Sequence, residues 1–462
     1  MKASRALYQI LRDYGVRYLF GMDSPELLYQ EIDRSEIRPI TVRDERSGAH
    51  MADGYARVAF GPAICTAIQG PGSTNLVTGI AEAFVSCVPV IAIASAVDSS
   101  LIGKNSIQEL DQVRLFEPIT KWVTRIDDPD RLPELVRKAF RIATTGKPGP
   151  VVLNIPPDTL ERETDADMFV ELEYNHVPGI RVGPNPERIR EAAKLLVEAE
   201  RPGMVAGGGV LQSGAWNEVK ELAELLAMPV ATTMMGKGTI PETHYLSVGV
   251  MGTYTSGRIG RGSVANKVIQ ESDVVMLVGT RTDQIDTTNW SVPTPQSKII
   301  HIDIDPTEIG RNYRTSVEIL GDAKLSLALL IETIKTRIAK GVGKSSKQER
   351  LEEIHSMLDN WRSIIGPETH SETMPINPQR LVEELRDFVD SETILAADAS
   401  YSSMWALSHL DAPTTGRVFV SPRGLGGIGA GFPMSLGAKL AAPEKRVVCM
   451  VGDGGFAYAY HE

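Results

Sequence analysis

Residues 39–86 read PITVRDERSGAHMADGYARVAFGPAICTAIQGPGSTNLVTGIAEAFVS. Pro39 to Val42 has the composition of a short strand, and Glu45 to Ala59 has helical spacing. Ala63 to Ile68 is a second strand that meets the turn Gln69-Gly70-Pro71-Gly72, after which Ser73 can cap a helix reaching about Ser86. Strand, helix, strand and helix joined by short connections make the pattern of a doubly wound parallel sheet. Outward from this stretch the pattern continues. Leu7, Ile10 and Leu11 mark one face of an N-terminal helix, and Val16 to Phe20 is a strand ending at Gly21. Ser24-Pro25-Glu26 reads as a helix start with Ser as N-cap and Pro at the first helical position. Pro89 to Ala94 is a further strand. Pro148-Gly149-Pro150 leads into Val151 to Ile155, expected as the last strand of this domain.

Glu161 to Glu173 is acidic and without period, as suits a linker. A second α/β unit opens with a helix from near Pro186 to about Ala199. Gly203 to Ala206 is a strand opening into Gly207-Gly208-Gly209, Val274 to Val278 a strand ending at Gly279, and Ile299 to Ile304 an alternating strand ending at Asp305-Pro306. Lys340 to Gln348, rich in Lys, Gly and Ser, reads as a second linker. A third unit starts near Pro378, with a helix, a strand Thr393 to Ala397 ending at Asp398, and a glycine-rich segment Gly424 to Gly431. Its last strand, Val447 to Val451, is an apolar run suited to burial on both faces of a parallel sheet, and it delivers Gly452-Asp453-Gly454-Gly455. The expected fold is α/β, three doubly wound parallel-sheet domains with the last incomplete, over residues 1–160, 186–340 and 376–462.

The chain has 462 residues, enough for about three domains. Apolar residues make up 42% and charged residues 23%, an ordinary globular composition, and the net charge of -11 disfavours a nucleic-acid partner. Cys65, Cys87 and Cys449 lie far apart inside apolar segments and read as reduced core residues of a cytoplasmic protein. No run approaches the roughly 18 uninterrupted apolar residues of a membrane helix. The N-terminus lacks the pattern of a signal peptide.

Glu45 stands where a strand gives way to a helix, a position where an acid is often only a partner of the helix dipole. The small residues that follow (Gly48, Ala49, Ala52, Gly54, Ala56) allow close packing, and a desolvated Glu there would hold its proton near neutral pH. Gly70-Pro71-Gly72 frees backbone N–H groups for a ligand, though an ordinary strand-to-helix turn accounts for it alone. Asp453 between glycines suits either a hard oxygen ligand for Mg²⁺ carrying a diphosphate or a turn. Gly207-Gly208-Gly209 lacks the G-x-G-x-x-G spacing of a dinucleotide loop, so a nicotinamide-linked dehydrogenase has little support. H-E-x-x-H, G-x-S-x-G and Walker A motifs are absent, and His50 and His301 read as satisfied structural residues.

Together these pieces resemble the thiamine-diphosphate-dependent decarboxylase and carboligase superfamily, and within it the catalytic subunits of acetolactate synthases. The resemblance runs through nearly the whole chain: Arg43 to Arg57, QGPGSTNLVTGI at Gln69 to Ile80, Ile107-Gln108-Glu109, GKPGPVVLNIP at Gly146 to Pro156, HIDIDPTEIG at His301 to Gly310, Gly424 to Gly437, and Val447 to Gly454. It implies a pyrimidine-binding, a central and a diphosphate-binding domain. It also implies a site shared between subunits of a homodimer or homotetramer, and a role in branched-chain amino acid biosynthesis. Glu45 matches the glutamate on N1′ of the aminopyrimidine and Gln108 a glutamine facing the thiazolium, the two catalytic positions. Protonating N1′ favours the imino tautomer, whose N4′ can remove the thiazolium C2 proton. Gly70, Pro71, Gly72, Gly426, Gly427, Gly452, Gly454 and Gly455 fall in cofactor-binding segments, Ile428 matches the bulky residue over which the cofactor bends, and Asp398, Ser400, Tyr401 and Ser402 lie where a loop contacts the diphosphate. Asp453 matches the Mg²⁺ ligand.

Some positions depart from the pattern. Asp44 stands where His or Asn is usual, Ile107 replaces Phe, and only Arg281 and Asp283 remain of an element that helps hold FAD, which argues against FAD. The family's motif continues past Gly454 to a paired Asn, so the chain is expected to be truncated, to leave an exposed strand edge and to bind Mg²⁺ poorly. The expected activity is decarboxylation of a pyruvate-like 2-oxo acid with carboligation to a second one. The alternatives are a simple 2-oxo acid decarboxylase and a catalytically incomplete fragment or assembly partner.

Overall fold

The computed structural model describes residues 1–257, 260–339 and 347–462, which divide into two compact units. One comprises Met1–Ile180, Ala396–Ser400 and Val420–Glu462, the other Arg181–Leu395 and Tyr401–Phe419.

The first unit is built on six parallel strands: β1 (Tyr18–Gly21), β2 (Arg38–Thr41), β3 (Ala63–Ala67), β4 (Val90–Ser95), β5 (Trp122–Arg125) and β6 (Val151–Ile155), in the order β2-β1-β3-β4-β6-β5. Alternate residues of a strand point to opposite faces, and both faces are apolar here. Leu19, Ile64, Ile91, Ile93, Val151 and Leu153 pack with the helices Ala3–Asp13 and Leu132–Thr144. Phe20, Cys65, Ala92 and Val152 pack with Glu45–Ala59 and Pro71–Val85. Strand β5 is half-buried along its length and at the sheet edge, and the weak apolar signal of such a strand left it unread in the sequence.

Two helix starts differ from expectation. The helix after β1 is Glu26–Glu31 with Pro25 as its N-cap residue, and the Ser24 hydroxyl pairs with that of Ser95 (2.9 Å) instead of capping. The next starts at Pro71 with Gly70 as N-cap, so Ser73 lies inside its first turn and its hydroxyl donates to the Ile68 carbonyl (3.0 Å).

The second unit repeats the plan with β7 (Pro202–Ala206), β8 (Val230–Thr232), β9 (Ser247–Val250), β10 (Val274–Val278), β11 (Lys298–Asp303) and β12 (Thr315–Leu320), ordered β12-β11-β10-β7-β8-β9 and parallel throughout. Strand β11, expected to alternate, is buried on both faces because it lies between β10 and β12, and the alternation belongs to the edge strand β12. The linker expected at Lys340 to Gln348 falls outside the described residues as far as residue 346, after which the helix Lys347–Thr369 begins.

A smaller sheet has the order β14-β13-β15, from Phe419–Val420, Thr393–Ala397 and Arg446–Met450. β15 is an edge strand and only half-buried, a correction to the expected two-sided burial. Three α/β sheets of six, six and three strands thus match the expected fold class. Among the described residues no helix is long and apolar enough to cross a membrane.

Candidate active site

Glu45 owes its position to what precedes it. β2 ends at Thr41, and Asp44 in extended conformation caps the helix, its carboxylate accepting the Arg46 N–H (2.9 Å), so that Glu45 is the first helical residue. Only 6% of Glu45 is exposed. Its Oε2 accepts a hydrogen bond from Asn75 Nδ2 (3.0 Å), and a Cβ on Gly72 would lie 2.8 Å from its Oε1. Glycine at 72 is what lets the turn abut the carboxylate. Gly70 has φ +66°, and a Cβ there would lie 2.8 Å from Gln108 Cβ. Its N–H donates to Gln112 Oε1 (3.2 Å), while Gln112 Nε2 donates to Ser95 O (2.9 Å) and Asn154 Oδ1 (2.7 Å). Glu45, the Gly70–Gly72 turn and Gln108 are therefore brought together, with Ile107 beside them 85% exposed.

Of the residues expected in the third unit, Asp398 and Gly455 lie against each other. Both oxygens of Asp398 accept the Gly429 N–H (3.1 and 2.9 Å), and Oδ1 also accepts that of Gly431 (2.9 Å). A Cβ on Gly455 would lie 2.1 Å from Asp398 Oδ2. Asp398 is thus buried scaffold for the glycine-rich loop. Ser400, with φ +67°, is exposed, Tyr401 is exposed and Ser402 half-buried. Gly426 and Ile428 are exposed and Gly427 half-buried. Asp453 opens the five-residue helix Asp453–Ala457 and is exposed, and the Cβ positions of Gly452 and Gly454 face open space. Among the described residues no group of three or more His, Cys, Asp or Glu side chains could hold a metal. An exposed Asp453 between open glycines still fits Mg²⁺, which commonly takes one or two carboxylates and completes its shell with phosphate oxygens and water.

Three polar residues that build this site carry no signal in the sequence read alone: Asn75, Gln112 and Glu82 are polar side chains inside ordinary helices, and only the packing shows what they meet. His301 Nε2 lies 3.3 Å from Thr280 O, as expected of a structural histidine. His50 differs, because it is buried and its Nδ1 has no hydrogen-bond partner among the described residues. Burial lowers its pKa to about 4, against the pull of Glu82 and Asp44 and with the push of Arg46 and Arg57. Between about pH 6.5 and 4 the unfolded chain therefore binds a proton that the folded chain excludes. This contribution is full above the unfolded value and is lost as pH falls. Taking the protein from pH 7 to 5 should cost about 1–2 kcal/mol of stability, and denaturant midpoints of His50→Gln should lack that slope. An equal slope in the variant would assign it to other groups.

The chain matches three family models: residues 1–115 the thiamine pyrophosphate enzyme N-terminal TPP binding domain, 189–330 the central domain and 398–462 the C-terminal TPP binding domain. It is 39% identical to the probable acetolactate synthase large subunit of Methanocaldococcus jannaschii over 99% of this chain and 76% of that protein. With the acetolactate synthase large subunit of Corynebacterium glutamicum it shares 35% identity over 100% of this chain and 72% of that one. Glu45 and its turn lie in the first matched segment, Asp398, Ile428 and Asp453 in the last, and the chain belongs to the acetolactate synthase large-subunit family of thiamine pyrophosphate enzymes.

Proposed function

We propose that the chain decarboxylates pyruvate or a closely related 2-oxo acid and joins the remaining two-carbon unit to a second 2-oxo acid. When bound, thiamine diphosphate supplies the electron sink for loss of CO₂. The observation that carries the reading is Glu45, a buried carboxylate whose Oε2 is taken by Asn75 while Oε1 faces the side-chain-free Gly72. That oxygen is the one left to share a proton with N1′ of an aminopyrimidine. Asn75 fixes the carboxylate's rotation, and the tight Gly70–Gly72 turn, tied back by Gln112, lets the ring approach the backbone. Gln108, held against Gly70, is assigned to the thiazolium side. Asp453 is assigned to Mg²⁺, with Gly452, Gly454 and Gly455 beside it and Ser400, Tyr401 and Ser402 toward the diphosphate. Gly426, Gly427 and Ile428 are assigned to the support of the cofactor.

FAD is left out of this reading. A Cβ on Gly207 would lie 2.1 Å from Gly279 O, and one on Gly209 2.8 Å from Gly279 Cα, so packing accounts for both glycines without a dinucleotide. We assign the enzyme to the cytoplasm, on its three free cysteines, to branched-chain amino acid biosynthesis and to a homodimer or homotetramer.

The test is the protein with thiamine diphosphate, Mg²⁺ and pyruvate. Acetolactate and CO₂ should form, and Glu45→Gln should slow both exchange of the cofactor C2 proton and product formation at least tenfold at saturating cofactor. Exchange at the parent rate in the variant would remove Glu45 from its role. CO₂ with free aldehyde and no acetolactate would make the protein a simple decarboxylase.

A further inference from the structure

The glycine-rich loop is gripped at two places by two buried carboxylates. Asp398 holds the N–H groups of Gly429 and Gly431. The other grip belongs to Glu82, on the helix Pro71–Val85, which is 1% exposed. Its Oε1 accepts from Gly424 N–H (2.9 Å), Ser86 Oγ (2.6 Å) and Arg57 Nη2 (3.3 Å), and its Oε2 from Leu425 N–H (2.6 Å) and Gly426 N–H (3.3 Å). Three consecutive backbone amides on one carboxylate form a small anion nest filled by the protein's own side chain. Gly424 is part of the fit, since a Cβ there would lie 2.4 Å from Ser86 Oγ and 2.9 Å from Glu82 Oε1. Arg57 in turn is held by Asp53 (Nη2 to Oδ2, 3.1 Å) and donates to Ser421 O (3.0 Å), just ahead of the same loop. Burial opposes the charge of Glu82, but Arg57, Ser86 and the loop amides hold its pKa below the usual carboxylate range. Between the two grips stand Gly427 and Ile428, the latter 49% exposed.

We propose that Glu82 is a positioning residue: by fixing the amides of Gly424, Leu425 and Gly426 it sets where the loop presents Ile428 to the cofactor. The part concerning the cofactor rests on the function proposed above, and the part concerning the loop does not.

Backbone hydrogen exchange on the cofactor-free protein tests the grip directly. In Glu82→Gln the carboxylate becomes an amide with one acceptor oxygen, and in Glu82→Asp the charge stays but the reach shortens by one methylene. Exchange at 424–426 should rise at least tenfold in both variants, with β3 and β4 as protected as in the parent. The Asp variant keeps the partner charge for Arg57, so it serves where the Gln variant unfolds. Unchanged exchange at 424–426 would overturn the proposal. So would a rise shared evenly with β3 and β4, which is what a merely stabilising residue would give. With thiamine diphosphate and Mg²⁺ saturating, the exchange rate of the cofactor C2 proton should also fall about tenfold in the variants. A parent protein showing no C2 exchange would sink the proposed function while leaving the amide result to judge the grip. A tenfold looser loop with C2 exchange at the parent rate would overturn the link to the cofactor.

Discussion

Gly437→Ala is expected to destabilise the first unit by more than about 3 kcal/mol. The helices Glu45–Ala59 and Gly431–Ala441 meet backbone to backbone through reciprocal glycines. A Cβ on Gly437 would lie 1.9 Å from the Met51 carbonyl oxygen, and one on Gly54 would lie 2.1 Å from the Met434 carbonyl oxygen. In each case the obstacle is main chain, which cannot turn aside as a side chain can. The helices must separate, opening the contacts of Leu436 and Leu440 with the core made by Ala49, Ala52 and Ala56. Loss of close packing is costly because a gap too small for water leaves its lining without partner atoms. Gly54→Ala should cost a similar amount. One separation relieves both clashes, so the double variant should cost clearly less than the sum of the two. Gly183→Ala is the control, since it is exposed outside any helix and its Cβ would meet nothing within 4 Å. Urea midpoints decide the matter, and a Gly437→Ala protein as stable as its parent would mean that the two helices are not so close. Because Glu45 opens one of these helices, the variants should also lose cofactor affinity along with stability.

Local pattern was legible where the physics is local. The helix Glu45–Ala59 and the strands Val151–Ile155, Val274–Val278 and Thr393–Ala397 have the bounds the sequence implies, because short apolar runs closed by a proline, a glycine or an acid leave few alternatives for the strands. Ser24 and Ser73 do not cap their helices, since a hydroxyl can satisfy a helix end or a neighbour elsewhere and the sequence does not say which is nearer. Of the residues expected at the site, Glu45 lies against Gly72, Gln108 against Gly70, and Asp398 against Gly455 and the loop amides of Gly429 and Gly431. The polar residues that brace these contacts give no sign of it in the sequence. Glu82 is an acid in mid-helix, outwardly a surface residue, and only the return of the chain some 340 residues later buries it under Gly424 and Leu425. Asn75 and Gln112 are of the same kind. A polar side chain's role is set by what the fold brings to it, and that is tertiary information.

Arg57→Leu is expected to cost about 3–5 kcal/mol at pH 7 and to flatten the protein's acid response. The Arg57 side chain is 1% exposed and lies between Asp53 and Glu82, which are no more exposed. Burial opposes its charge, but Asp53 and Glu82 together raise its pKa above the usual guanidinium value. A leucine of similar bulk supplies none of the fork and takes from two buried carboxylates the cation they share. Arg57→Lys keeps the charge but cannot face Asp53, Glu82 and the Ser421 carbonyl at once, so a smaller loss of about 1–3 kcal/mol is expected. In the parent, Glu82 is held below its unfolded pKa, and its contribution is present above that value and fades as pH falls through the folded one. Without Arg57 burial weighs more heavily on Glu82, and its pKa should rise although Ser86 and the loop amides still lower it. The stability that Glu82 contributes near neutral pH should shrink accordingly. Midpoints measured from pH 7 to pH 5 should fall for the parent, through His50, and fall less for Arg57→Leu, where the push of Arg57 on His50 is gone. Two curves of the same slope would mean that the carboxylates do not depend on Arg57 for their charge.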